Sequence, residues 1–225
     1  MRNFSKVAVG FATAAILIGG LAACSTDTSS TSSSSSTATD SATPVPLATI
    51  ATLDGVDTQV TLDQGFVDAL ASLKLTAGVV GTATLTDGAL HFPITGGNVK
   101  YFDPKASYRP FVQGEIDHDG SGISLTAGST VVELTNFVID PGTSRLTGTV
   151  TANGTKVADD VYIFNLDGST LKPLSTDADG NAVLEGTRVL VSPDAAALLN
   201  KTFNTDAVTD TLLVGIAKIT AKAAA

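Results

Sequence analysis

Residues 87–97 read Asp87-Gly88-Ala89-Leu90-His91-Phe92-Pro93-Ile94-Thr95-Gly96-Gly97. Asp-Gly is a two-residue turn signal, because both positions tolerate the positive φ of a tight hairpin. Leu90, Phe92 and Ile94 then alternate with His91, Pro93 and Thr95. Strict alternation places the three apolar side chains on one buried face of a strand. Pro93 cannot donate to a ladder, so this strand is expected at an edge or beside a bulge. Gly96-Gly97 turns the chain again. A turn, an alternating strand and a turn within eleven residues indicate antiparallel β-structure.

The same grammar extends in both directions. Short Thr- and Val-rich runs between Gly, Asp and Asn read as strands at Thr82 to Leu85, Val99 to Phe102, Phe111 to Ile116 and Ile123 to Thr126. Further strands are expected at Val131 to Ile139, Leu146 to Ala152, Val161 to Phe164, Val183 to Val191 and Leu212 to Ile219. Asn153-Gly154 marks a hairpin. Two helices interrupt the pattern. Asp63 caps one from Gln64 to about Leu73, with Phe66, Leu70 and Leu73 at helical spacing. Ser192-Pro193, a cap serine followed by proline at the first helical position, starts another that runs to about Lys201. Each follows a strand, Val60-Thr61-Leu62 and Val189-Leu190-Val191. That pairing reads as a shared way of closing a sandwich, or as a faint internal duplication. The expected fold of residues 47–225 is all-β: an antiparallel β-sandwich with two short capping helices, its last residues Ala221 to Ala225 frayed.

Upstream, Arg2 and Lys6 precede an apolar run from Val7 to Leu21, and Leu21-Ala22-Ala23-Cys24 follows. A basic start, an apolar stretch and small residues mark a secretory signal peptide, residues 1–23. The run is about 15 residues, short of the roughly 20 that span a bilayer. Leu21-Ala22-Ala23-Cys24 resembles the lipobox of bacterial lipoproteins. The resemblance implies cleavage before Cys24, the chain's single cysteine, and attachment of acyl chains such as palmitate to it. Residues 24–46 add a Ser/Thr-rich tract that cannot offset its ordering entropy by burial and reads as a disordered tether. A coil of about 22 residues reaches roughly 25 Å. The expected location is extracytoplasmic, on the outer face of the cell membrane, held there by the lipid anchor.

Charge and composition exclude several functions. The formal net charge is −9, and without Arg2 and Lys6 it is −11. With no block of Lys or Arg, the chain lacks the cations that nucleic-acid phosphates require. Lipidation of Cys24 would leave no thiol for a disulfide, a metal or nucleophilic catalysis. The two histidines read as exposed, His91 on the polar face of its strand and His118 in an Asp117-His118-Asp119-Gly120 turn. No nucleophile elbow, zinc-protease helix or phosphate loop is present, so the chain is expected not to be an enzyme. Ser175, Asp177, Asp179 and Gly180 match the start of a helix-loop-helix calcium loop. Its closing glutamate would fall at Gly186, and Glu185 is one residue short. Aspartate and glycine are also what ordinary turns use, and no metal site is expected.

Tyr101, Phe102, Tyr108 and Phe111 cluster around the segment Asp103 to Pro110, with Lys100, Lys105 and Arg109 making it locally basic. Long aromatic loops often bind, and Tyr101, Tyr108 and Arg109 are the candidate ligand-binding residues. Phe92-Pro93-Ile94-Thr95-Gly96-Gly97, the Glu115-Ile116-x-His118 continuation and Leu125 to Ile139 resemble secreted actinobacterial β-domains related to the HtaA haem-uptake family. The similarity covers roughly residues 60–220 and is one of turns and strands. It implies haem capture as one function. The family's aromatic motif with a tyrosine ligand is not matched before Phe92, so no residue inherits that role. In this loop Tyr101 or Tyr108 could be an axial donor and Arg109 could fork onto a carboxylate. The leading expectation is a non-enzymatic, lipid-anchored envelope protein that binds or scaffolds a cell-wall component or another envelope protein. Haem uptake is the alternative.

Overall fold

A computed structural model describes residues 44–224. The segment expected to be a signal peptide, Cys24 and the expected linker up to residue 43 lie outside the described residues.

Thirteen strands and two helices follow one another as β1 (Ala48–Ile50), β2 (Leu53–Leu62), α1 (Gln64–Ser72), β3 (Thr76–Gly81), β4 (Thr84–Thr86) and β5 (Ala89–Pro93). Next come β6 (Gly96–Tyr101), β7 (Val112–Ala127), β8 (Thr130–Asp140), β9 (Arg145–Ala152) and β10 (Thr155–Asp167). The last are β11 (Ser175–Thr176), β12 (Ala182–Val191), α2 (Pro193–Phe203) and β13 (Leu213–Ala223). Every pairing is antiparallel, in the order β1-β6-β7-β8-β9-β10-β12-β13-β2-β5-β4. β3 lies beside the second half of β7, and β11 beside β12.

The sheet is not closed, but it folds back so that its two halves face each other. Phe92 of β5 packs edge-on against Phe137 of β8 at 5.4 Å between ring centroids. Phe137 in turn meets Phe164 of β10 at 6.2 Å. The chain crosses between the halves at residues 94–95. The Ile94 amide donates to the Val56 carbonyl of β2, and the Thr95 amide to the Asp117 carbonyl of β7. This is the expected sandwich. Leu90, Phe92 and Ile94 are buried as their alternation requires. Pro93 sits beyond the last pair that β5 makes with β4, so its missing donor faces no partner strand on that side.

Both helices start where the sequence places them. The Asp63 carboxylate accepts from the Gly65 amide at 2.8 Å and caps α1. Ser192 caps α2 by accepting from the Ala195 amide at 3.0 Å, while its own hydroxyl donates to the Tyr162 carbonyl. Phe66 of α1 reaches inward against Leu90 and Ile123 and closes one end of the sandwich. α2 packs on β10 through Ala195, Ala196 and Leu199. The hairpins at Asp87-Gly88 and Asn153-Gly154 have positive φ at both residues, as their composition demands.

Four expectations change. Phe111 to Ile116 and Ile123 to Thr126 belong to one long strand, β7, rather than two. Asp117-His118-Asp119-Gly120 is therefore not a turn between strands but a bulge, seen as a register shift between His118 and Gly122 against β8. Side chains satisfy the bulge's freed groups: Asn136 Oδ1 accepts from the Gly120 amide, and Thr95 Oγ1 from that of Asp119. The strand expected over Thr82 to Leu85 falls instead on the junction of β3 and β4. Ala221 is not frayed, because β13 runs to Ala223 between β12 and β2 and buries it.

Candidate functional site

The folded-back sheet encloses a cavity of about 520 Å³ that is partly open to solvent. Alternate residues of nearly every strand line it, since side chains on one face recur every second residue. Its deep end is made by Val60, Leu90, Phe92, Ile116, Ile123 and Phe137, all buried. Farther out come half-buried apolar residues on several elements, among them Ile50, Val99, Leu171, Leu174 and Leu184. Exposed Ala48, Arg109, Ser144 and Gly168 mark the mouth. Among the described residues the lining contains no carboxylate. Pockets of this size and apolar character are typical of sites for small ligands.

Two polar side chains reach the deep end, and they satisfy each other. His118 is 1% exposed, with Nε2 2.8 Å from Thr58 Oγ1 on β2 and Nδ1 3.2 Å from the Phe137 carbonyl. A carbonyl only accepts, so Nδ1 carries the proton, and Nε2 accepts from the Thr58 hydroxyl. Burial disfavours the imidazolium and pushes the His118 pKa down to about 4, although the Phe137 carbonyl and the Asp57 and Asp119 charges act in the opposite sense. The ring is therefore neutral at pH 7. Sequence reading placed His118 in an exposed turn, which is incorrect. Its period-two relation to Ile116, an inward-facing residue, is the signal that would have turned it inward.

The other histidine is half-buried rather than exposed. His91 Nδ1 lies 2.7 Å from Asp57 Oδ2, across β5 and β2 and away from the cavity lining. Asp117 also departs from the ordinary carboxylate range. Burial first, and the Asp119 charge second, raise its pKa.

The segment Asp103 to Pro110 forms one wall of the mouth. Its base is closed by the Phe102 amide donating to the Phe111 carbonyl at 2.7 Å. Arg109 holds it from within. Nη1 donates to the carbonyls of Ala106 and Tyr108, and Nη2 to that of Pro104. The guanidinium lies 5.6 Å from the Phe111 ring centroid, and Tyr101 packs edge-on against the same ring at 5.9 Å. Tyr101 and Arg109 thus share the mouth with Phe111. Tyr108 does not join them. It packs at 4.8 Å on buried Phe102 and is absent from the lining. Cys24 lies outside the described residues.

The acidic turns are structural. Asp177 Oδ1 accepts from the amides of Asp179 and Asn181, and Oδ2 from the Asn181 side-chain amide. These hydrogen bonds, those from Asn181 foremost, hold the Asp177 pKa down. Among the described residues no group of three or more His, Cys, Asp or Glu is placed to hold a metal. No described helix is long and apolar enough to cross a membrane.

No family model and no curated protein matches this chain. Among solved structures the chain is similar to the C-terminal domain of HtaA from Corynebacterium glutamicum. The two are 13% identical, with 77% of this chain and 99% of that chain covered and a TM-score of 0.49.

Proposed function

We propose that this chain is a non-enzymatic binding module of the cell envelope whose ligand occupies the apolar cavity between the two halves of the sheet. The observation that supports this most directly is the cavity itself. Well-packed interiors leave few voids larger than a water molecule, whereas here the chain's own side chains leave a space of about 520 Å³, partly open to solvent. An opening of that size lined by aliphatic side chains costs packing energy unless something apolar fills it. The histidines favour binding over catalysis. His118 is neutral and held at both nitrogens, and His91 is paired to Asp57 outside the cavity. Anchoring through Cys24 and a Ser/Thr tether would hold such a module at the outer membrane face, within reach of hydrophobic envelope molecules.

The test is titration of the full chain with phenylnaphthylamine, a neutral dye that fluoresces in apolar surroundings. Saturable enhancement is expected. Ala217→Phe, which places a ring in the cavity from a buried position on β13, should abolish it while the circular dichroism stays β-type. Undiminished dye binding by that variant would place the site elsewhere.

Haem is a second reading, and one observation favours it. Tyr101 lines the cavity and packs on the same Phe111 ring as Arg109. A tyrosine oxygen can ligate haem iron, and Arg109 beside it could meet a haem carboxylate. Haem would supply its own iron chemistry, whereas these residues would only bind and orient it. A Soret shift on titration, lost in Tyr101→Phe, would support this reading.

A further inference from the structure

Resting on the cavity-binding reading above, we propose that the ligand is a single-chain amphiphile. Its alkyl chain fills the cavity, and its anionic head, a carboxylate or a phosphate, sits at the mouth on Arg109 and Tyr101.

The division of polarity with depth carries this inference. Inside, the polar side chains His118 and Thr58 are bound to each other and to the Phe137 carbonyl. Among the described residues no buried side-chain nitrogen or oxygen is left without a partner. The deep end therefore has no unmet donor or acceptor with which to recognise a polar group, and any polar group placed there would lose its own water without compensation. Only apolar matter fits. A water molecule's share of liquid volume is about 30 Å³, and a methylene group is of similar size. The 520 Å³ cavity thus accepts on the order of fifteen such groups, a long alkyl chain.

At the mouth the chemistry reverses. Arg109 is the single permanently charged residue in the lining, and among the described residues no carboxylate lies within ion-pair distance of it. A guanidinium has five N–H donors, and three hydrogen bonds to loop carbonyls leave at least two N–H groups available. Those three bonds also fix the side chain, so little rotamer entropy remains to be lost when a ligand docks. Tyr101, itself buried, packs edge-on against the same Phe111 ring that the guanidinium approaches. A fixed cation at the rim of an apolar chamber, with a tyrosine packed on the same ring, is complementary to an anion carried on an alkyl chain.

The experiment measures displacement of phenylnaphthylamine from the full chain by tetradecanoate, tetradecyl phosphate and tetradecanol, each below its aggregation threshold, and by inorganic phosphate. Both anionic amphiphiles should bind about tenfold more tightly than the alcohol, and the preference should shrink as salt is raised. Inorganic phosphate should displace nothing. Arg109→Gln should bring the anion-to-alcohol ratio close to one, and Arg109→Lys, which keeps the charge, should retain part of it. Equal affinity of anion and alcohol in the wild type would overturn the head-group assignment while leaving the cavity reading in place, as would displacement by inorganic phosphate. Failure of the dye itself to bind would instead overturn the cavity reading. If Arg109→Gln alters the loop, the wild-type salt dependence and alcohol comparison still decide the matter.

Discussion

Acidification should destabilise this domain through His118 before most of its carboxylates titrate. In the folded state the ring is 1% exposed with both nitrogens engaged, and its pKa is pushed to about 4 from the ordinary 6.5. The folded-state pKa is the lower one, so the unfolded chain binds the proton more readily. The stability linked to this group is therefore fully present above pH 6.5 and is lost as pH falls toward 4. The difference of 2.5 between the two values corresponds to about 3–4 kcal/mol at about 1.4 kcal/mol per pH unit. That is a large share of the roughly 5–15 kcal/mol that holds a domain together. Asp159, Asp167, Asp177 and Glu185 have depressed pKa values, so their contributions disappear only below the ordinary carboxylate range. Asp117 is shifted the other way and offsets part of the loss. The assay is urea unfolding followed by circular dichroism from pH 7.5 to 4.5, comparing the wild type with Thr58→Val/His118→Phe. That double variant removes both partners of the buried bond, and all other titrating groups cancel in the comparison. The wild type should lose about 2–3 kcal/mol more than the variant across this window. Equal slopes in the two proteins would refute the burial of a neutral His118.

Other expectations follow from single contacts. Ser192→Ala removes the α2 cap and the bond to the Tyr162 carbonyl from a side chain with no exposure, and thermal unfolding should show a loss of about 1–3 kcal/mol. A Cβ at Gly122 would sit 2.1 Å from the Leu134 carbonyl oxygen, so Gly122→Ala should prevent cooperative folding. Gly120→Ala, in open space at φ +72, should cost only about 1–2 kcal/mol. Millimolar calcium should leave the melting temperature unchanged, because the Asp177 carboxylate is committed to its own turn. Cys24→Ala should end incorporation of radiolabelled palmitate in cells, and undiminished labelling would remove the lipoprotein reading.

Local chemistry explains what could be read without coordinates. Ser192-Pro193 and Asp63 cap helices because a side-chain oxygen before a free amide is a nearest-neighbour matter. Asp87-Gly88 and Asn153-Gly154 turn the chain because positive φ is a property of single residues. The cavity was not legible, since it depends on how far apart two halves of one sheet stand, and alternation looks the same whether the facing side chains touch or not. His118 was misread because Asp-His-Asp-Gly carries a turn composition, whereas the bulge that replaces the turn is stabilised by Thr95 and Asn136, distant in sequence. The basic-aromatic loop was visible as a cluster. Its split into Tyr101 and Arg109 at the mouth and Tyr108 against Phe102 came only from packing.

The place of β13 in the sheet has a consequence for how the domain is made. Among the described strands this one is the last in sequence, yet it lies between β12 and β2 rather than at an edge of the sheet. Until it arrives, two long strands each carry an open row of amides and carbonyls, the kind of edge on which chains aggregate. Folding is then a late event that waits for residues beyond Leu213, and most of the polypeptide must stay extended or guarded until they are available. Loss of β13 would open the middle of the sheet rather than trim its margin.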